Sequence, residues 1–205
     1  MGRAHTRVMA EDRAYDLPGW VVPSWYEVSD VACMALRGVV EDRDRQACAG
    51  MVAAIGWVRG LIEVGPVTCR DERLVSVEVA QAESFAAASA RQDWSSPPLD
   101  EVCEVLGVAY WAPVNTDPGY ALGVCATLRW LLGVDAAQVP IPIPVRTASG
   151  ALAGETEIYA GLLARNPGPL QAWERAELRR EARETYARSR HLAEIVAYTA
   201  TRARA

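Results

Sequence analysis

The sequence contains no lysine, one phenylalanine and two asparagines, and its 21 cationic residues are therefore all arginine. Lysine, phenylalanine and asparagine are encoded by AT-rich codons, so their scarcity indicates a GC-rich genome, that of a bacterium or a virus. The same codon bias accounts for arginine in place of lysine without any need for guanidinium geometry.

Histidine is also scarce, with only His5 and His191, and no histidine stands near an acid at metal-ligand spacing. The five cysteines show no CxxC pairing and are odd in number, which indicates free thiols in a reducing compartment and not a disulfide framework. They are Cys33, Cys48, Cys69, Cys103 and Cys125. The sequence therefore predicts no metal site, no cofactor and no Cys–His nucleophile.

Nucleotide-binding loops are missing too, since neither GxxxxGK[ST] nor GxGxxG occurs. The acids Asp100, Glu101 and Glu104 cluster at the start of a predicted helix, where the helix dipole favours exposed carboxylates. Such a cluster is more typical of a solvated first turn than of an acid–base pair. The sequence thus leaves enzymatic activity undecided and favours a protein that is not an enzyme.

A net charge of −5 argues against nucleic acid as the partner of the whole chain. The charge is uneven, because residues 170–205 hold eight arginines against five glutamates. The uncharged run 46–58 is too short to span a bilayer. The N-terminal residues lack the apolar stretch of a signal peptide, so we expect a cytoplasmic protein that does not enter membranes.

Helical patterns with recognisable start signals recur along the chain. Ser24 and Glu27 form a capping-box pattern at the first helix. Further helices are predicted over 44–63, 76–91, 96–106 (with Ser96 as N-cap), 117–132, 155–165 and 170–199. The sequence thus predicts a mainly α fold, an irregular bundle of five to seven helices with an extended proline-rich arm and a long C-terminal helix.

Three glycines, Gly50, Gly56 and Gly60, fall within the second predicted helix, which is apolar nearly all round. Each weakens a helix by roughly 1 kcal/mol relative to alanine. We therefore expect a central helix that its neighbours approach closely.

Alternate prolines in residues 139–145, here called the proline arm, force an extended backbone. The arm can strap the protein's own core or reach a second subunit, and the sequence does not decide between the two. We divide the chain into a flexible N-terminal arm (1–23), a helical core (24–133), a proline-rich linker (134–150) and a C-terminal helical hairpin with a long charged helix (151–205).

Three groups of residues are candidates for binding. Arg129 interrupts an apolar helix, and with Trp130 and Trp111 it could line a pocket for an anionic ligand. The long helix carries an arginine stripe that could follow a phosphate backbone. Its members are Arg175, Arg179, Arg183 and Arg190. The apolar arm and an aromatic residue beside a loop could form a protein interface. These residues are Pro140, Ile141, Pro142, Ile143, Pro144 and Trp173.

The functional hypotheses follow from these groups. The first is a non-enzymatic adaptor or assembly protein that binds another protein or itself. The alternatives are a nucleic-acid-binding regulator that uses the arginine stripe, and a small helical enzyme or anionic-ligand-binding protein with a pocket near Arg129.

Overall fold

The computed structural model describes residues 17–72, 74–91, 96–134 and 138–204, and it confirms the predicted mainly helical fold. Seven helices occur in these ranges. They are α1 (Trp25–Val40), α2 (Arg45–Val58), α3 (Val77–Ala90), α4 (Leu99–Leu106), α5 (Pro118–Leu131), α6 (Glu155–Ala164) and α7 (Ala172–Arg204). The described residues contain no strand beyond two isolated bridges, Val64 with Asp71 and Arg146 with Leu152.

Side-chain caps fix the starts of three helices. Ser24 and Glu27 form the predicted capping box at α1. The Ser76 hydroxyl accepts the Val79 N–H at α3, and the Asp117 carboxylate accepts the Tyr120 N–H at α5. Local sequence signals thus set where the core helices begin.

Two predicted boundaries are wrong. Helix α2 ends at Val58 and not near residue 63, because Gly60 adopts a left-handed conformation with φ +68°. The Leu61 N–H then donates to the Gly56 carbonyl and the Gly60 N–H to the Trp57 carbonyl, as in a Schellman C-cap. Helix α4 begins at Leu99 with Pro98 as N-cap, and so Ser96 does not cap it.

Helices α2 and α5 cross in close contact through their N-terminal halves. A Cβ on Gly123 would lie 1.9 Å from the Ala47 carbonyl oxygen, and one on Gly50 would lie 2.1 Å from that of Tyr120. Glycine at these positions lets the two backbones touch, which is the close approach expected for Gly50. Helix α2 also packs on α1, and α5 also packs on α3.

The main core lies among α1, α2, α3 and α5. Its fully buried side chains include Val28, Val31, Trp57, Leu128 and Leu131. Residues 17–23 join this core: the Trp20 indole N–H donates to the Val75 carbonyl at 2.9 Å, and the Val22 N–H donates to the Leu131 carbonyl at 2.9 Å.

Helix α6 packs against the first half of α7. Ala153, Ile158 and Ala182 are buried together there, with Tyr159 and Tyr186 at the edge. The apolar residues of the long helix gather from Leu192 onward, which predicts that its first half projects into solvent; the burial of Ala182 with Ile158 contradicts this prediction. Ala182 is flanked in sequence by charged residues, and its small side chain leaves room for Ile158 of α6 to pack against α7. Helix α7 also packs on α1; Leu36 and Val40 line one cavity with Tyr198 and Thr199 of its second half, where Val196 is buried.

No helix in the described ranges is both long enough and apolar enough to span a membrane.

Candidate interaction groove

A groove of about 860 Å³ lies between α2, α5 and the proline arm. Its floor and walls are mostly apolar, and they include Ala47, Cys48, Met51, Leu122, Ala126, Pro140, Ile141 and Pro142. Polar side chains gather at one end, where α2 begins: Asp42, Asp44, Arg45 and Gln46. The groove, here called the α2–α5 groove, therefore combines an apolar surface with two carboxylates.

The proline arm forms one wall of this groove because it lies on the protein's own core. Ile141 packs against the buried cluster of Ala35, Cys48 and Met51, and Ile143 packs against the main core. Pro144 is fully buried. The structure thus places the arm as a strap, and Pro142 is the exposed member of the five arm residues considered for an interface.

The two carboxylates at the groove stand on an unusual turn between α1 and α2. Asp42 and Asp44 both have positive φ, 58° and 45°. Aspartate tolerates the left-handed conformation better than most residues, which explains its use here. The Asp44 side chain makes no capping hydrogen bond to α2. The Asp44 charge is therefore not neutralised by the helix amides. The other carboxylate, that of Asp42, lies 3.9 Å from the Arg45 guanidinium.

A second cavity of about 390 Å³ lies on the other side of the arm and shares Ala126 and Pro140 with the groove. Arg91, Arg129 and Gln138 contribute its polar side chains.

The structure separates the three residues of the proposed anionic pocket. Arg129 lines this second cavity, whereas Trp130 is buried in the core at 4% exposure. Trp111 lies on the segment between α4 and α5, is 44% exposed and does not line the cavity.

The four arginines of the stripe are all exposed on α7, but their surroundings differ. The Arg183 guanidinium lies 3.8 Å from the Glu155 carboxylate. The Arg179 guanidinium lies over the Tyr159 ring at 5.7 Å from its centroid. Arg175 and Arg179 line a cavity of about 270 Å³ at the turn between α6 and α7.

Trp173 is 70% exposed in the first turn of α7. The arm meets α7 at Ser189, whose hydroxyl accepts the Val145 N–H at 2.8 Å. Sixteen residues separate Trp173 from Ser189, which is about 24 Å along a helix. The arm and Trp173, which the sequence grouped as one interface, therefore lie apart.

A buried carboxylate that sequence reasoning missed anchors the loop between α2 and α3. Glu83 is fully buried and accepts the Val67 N–H at 2.6 Å, the Thr68 N–H at 3.0 Å and the Thr68 hydroxyl at 2.6 Å. Gly65 lies so close that an added Cβ would sit 3.0 Å from the carboxylate. The available signal was a single acid within the alanine-rich stretch of α3.

Arg70, in the same loop, is also buried, at 2% exposure. Its Nη2 donates to the Ala109 carbonyl, while Nε and Nη1 have no hydrogen-bond partner. Burial raises the pKa of the nearby Cys103 thiol, and the charge of Arg70 partly opposes this. Arg70 lines none of the cavities described above.

Among the described residues, no group of three or more His, Cys, Asp or Glu side chains could hold a metal ion. Comparison with family models, with curated proteins and with solved structures found no match to the chain. Functional inference therefore rests on the groove and the cavities themselves.

Proposed function

We propose that this chain is a non-enzymatic helical interaction protein, an adaptor or assembly component, that holds a partner in the α2–α5 groove. The observation that carries the proposal is the α2–α5 groove itself, which is mostly apolar, has a volume of about 860 Å³ and carries Asp42 and Asp44 at one end. Open apolar grooves of this kind accept helices or extended segments of other proteins. The carboxylates favour a partner segment in which apolar residues are followed by a basic one.

The polar groups of the groove support a protein partner over a small molecule. Pockets for small ligands orient them with a few precisely placed polar side chains. In the described residues, the buried side-chain atoms without hydrogen-bond partners belong to Trp57, Arg70 and Thr127, and none of these lines the groove. The polar side chains that do line it gather at one end.

Native mass spectrometry of the protein purified gently from its own host tests the proposal. Leu122→Arg places a charge on the groove wall at a residue that is already 42% exposed, so the fold should survive. Val105→Arg is the matched control, because Val105 is 86% exposed on α4 and lies outside the groove.

We expect the wild type and Val105→Arg to carry a bound protein, either a partner or a second copy, and Leu122→Arg to be a bare monomer. Retention of the same protein by Leu122→Arg, or bare monomers for all three, would overturn the proposal. In addition, Asp42→Asn with Asp44→Asn should reduce the salt dependence of binding, since the carboxylates then no longer attract basic residues.

A second candidate, an anionic-ligand-binding protein, is favoured by the cavity that Arg91 and Arg129 share. Two guanidinium groups around one space suit a carboxylate or a phosphate. Arg129→Ala should then abolish binding of an anionic small molecule without unfolding the chain, as circular dichroism would show. A nucleic-acid-binding role has less support, because exposed glutamates are interspersed with the arginines of α7.

A further inference from the structure

The turn between α6 and α7 forms a small cleft that is separate from the α2–α5 groove. Its volume is about 270 Å³, and its charged lining residues are Arg175 and Arg179. Tyr159 and Asn166 of the α6 side also line it, together with residues of the turn itself. We call it the α6–α7 cleft.

The two guanidinium groups share one side of α7, because residues four apart in a helix are neighbours. Two like charges four residues apart on a helix repel each other, which destabilises the helix slightly. Within the described part of the chain, neither Arg175 nor Arg179 forms an ion pair. The cleft therefore holds two positive charges that an anion could balance.

Three of the four acids between residues 174 and 184 of α7 contact other groups, and the fourth, Glu181, lines a different cavity. The Glu174 carboxylate accepts the Gln171 N–H at 2.6 Å at the start of the helix. Glu177 and Glu184 both contact the Arg180 guanidinium, which does not line the cleft. Positive charge thus remains concentrated where the cavity is.

Tyr159 further shapes the cleft. The Arg179 guanidinium lies over its ring at 5.7 Å, a cation–π arrangement that restricts where the guanidinium can go. A guanidinium held in place loses less entropy when it binds a ligand. Gly168, Pro169 and Leu170 of the turn also line the cleft.

From these observations we propose that the α6–α7 cleft binds a phosphate dianion, either inorganic phosphate or the phosphate of a monoester. A phosphomonoester carries close to two negative charges at neutral pH, which matches the two guanidiniums. A carboxylate carries one negative charge, and so does each phosphodiester of a nucleic-acid backbone. Either would leave one of the two guanidinium groups without a counter-charge. Paired arginines also match the oxygen geometry of phosphate.

Isothermal titration calorimetry on the full chain at constant pH and ionic strength tests this. Inorganic phosphate, sulfate and acetate are compared first, and the two dianions should bind roughly tenfold or more tightly than acetate. Phosphoserine then tests a monoester, and competition with inorganic phosphate shows which of the two sources binds better. A single-stranded oligonucleotide without a terminal phosphate is the diester probe.

Arg175→Ala and Arg179→Ala should each weaken phosphate binding roughly tenfold or more. Arg188→Ala is the matched control, since it removes the same charge from an exposed position of α7 outside the cleft. Circular dichroism establishes that each variant is folded.

Equal weak binding of all three small anions, or an equal effect of Arg188→Ala, would overturn the proposal. Binding of the oligonucleotide alone would overturn it in favour of nucleic acid. Leu122 does not line this cleft, so Leu122→Arg should bind phosphate as the wild type does. Phosphate binding can therefore be observed even if no protein binds in the α2–α5 groove.

Discussion

Arg146 holds the carboxylate of Asp30 with two hydrogen bonds, from Nε at 2.5 Å and from Nη2 at 2.9 Å, across 116 residues of sequence. The third nitrogen, Nη1, donates to the Gly150 carbonyl at 2.9 Å. Asp30 is 2% exposed on α1. The hydrogen bond to Asp30 raises the pKa of Arg146 above its ordinary value. This contact fastens the end of the proline arm to the helical core.

Asp30→Ala should therefore destabilise the protein by about 3 kcal/mol, because it leaves a partly buried guanidinium without its counter-charge. Urea unfolding followed by circular dichroism measures the loss. Glu177→Ala removes one side of an exposed ion pair on α7 and should cost less than about 1 kcal/mol. Equal losses for the two variants would contradict a specific role for the buried pair.

The crossing of α2 and α5 should not tolerate a methyl group. Gly123→Ala would push a carbon onto the Ala47 carbonyl oxygen, so the helices must separate, at a cost of about 3 kcal/mol. Gly161→Ala is the control, since nothing lies within 4 Å of its added Cβ. That variant should instead stabilise helix α6, by about 0.5–1 kcal/mol. Thermal unfolding should show a lower melting temperature for Gly123→Ala and a higher one for Gly161→Ala. A higher melting temperature for Gly123→Ala would contradict the close contact between α2 and α5.

The buried Glu83 should matter more for its acceptor oxygens than for its size. Glu83→Ala leaves the Val67 and Thr68 amides buried without a partner, and we expect a loss of about 3 kcal/mol or more. Glu83→Gln keeps one acceptor oxygen and should lose only about 1–2 kcal/mol. Denaturant unfolding compares the two, and an alanine variant as stable as the glutamine variant would show that these bonds contribute little.

Native thiol labelling should separate the cysteines by burial. Cys69 is exposed and should react with a maleimide first, whereas Cys48, Cys103 and Cys125 are buried. Mass spectrometry of labelled peptides identifies the sites, and Cys69→Ala should remove the fast phase. Labelling of Cys103 as fast as Cys69 would contradict its placement in the core.

Burial also raises the pKa of the Cys48 and Cys103 thiols above their ordinary value of 9.0, and the charge of Asp44 adds to this at Cys48. The folded protein then keeps thiol protons that the unfolded chain has lost. The free energy of unfolding contributed by these groups is therefore complete below pH 9.0 and falls as the pH rises toward the folded pKa. Replacing both thiols with alanine should flatten the stability profile above that pH.

The sequence by itself determined the helices and most of their ends. Apolar spacing marked each helix, while Ser24, Ser76 and Asp117 marked three starts, because capping is a local interaction between residues three apart. Of the three glycines expected to mark close approach, Gly50 does lie against another backbone, whereas a Cβ added at Gly56 would meet only the Ile62 side chain and one added at Gly60 would have nothing within 4 Å. The end of α2 at Val58 was missed because Gly60 looked like one more packing glycine.

Only the tertiary structure decided which surfaces meet. The bond between Arg146 and Asp30, the burial of Glu83 under its loop and the assembly of the α2–α5 groove all join residues far apart in sequence, and no local pattern encodes those distances. For the arginine stripe, the sequence periodicity placed Arg175 and Arg179 on one side of a helix, but it did not predict that they line a cavity. Their shared cleft exists because α6 folds back and brings Tyr159 beneath the Arg179 guanidinium.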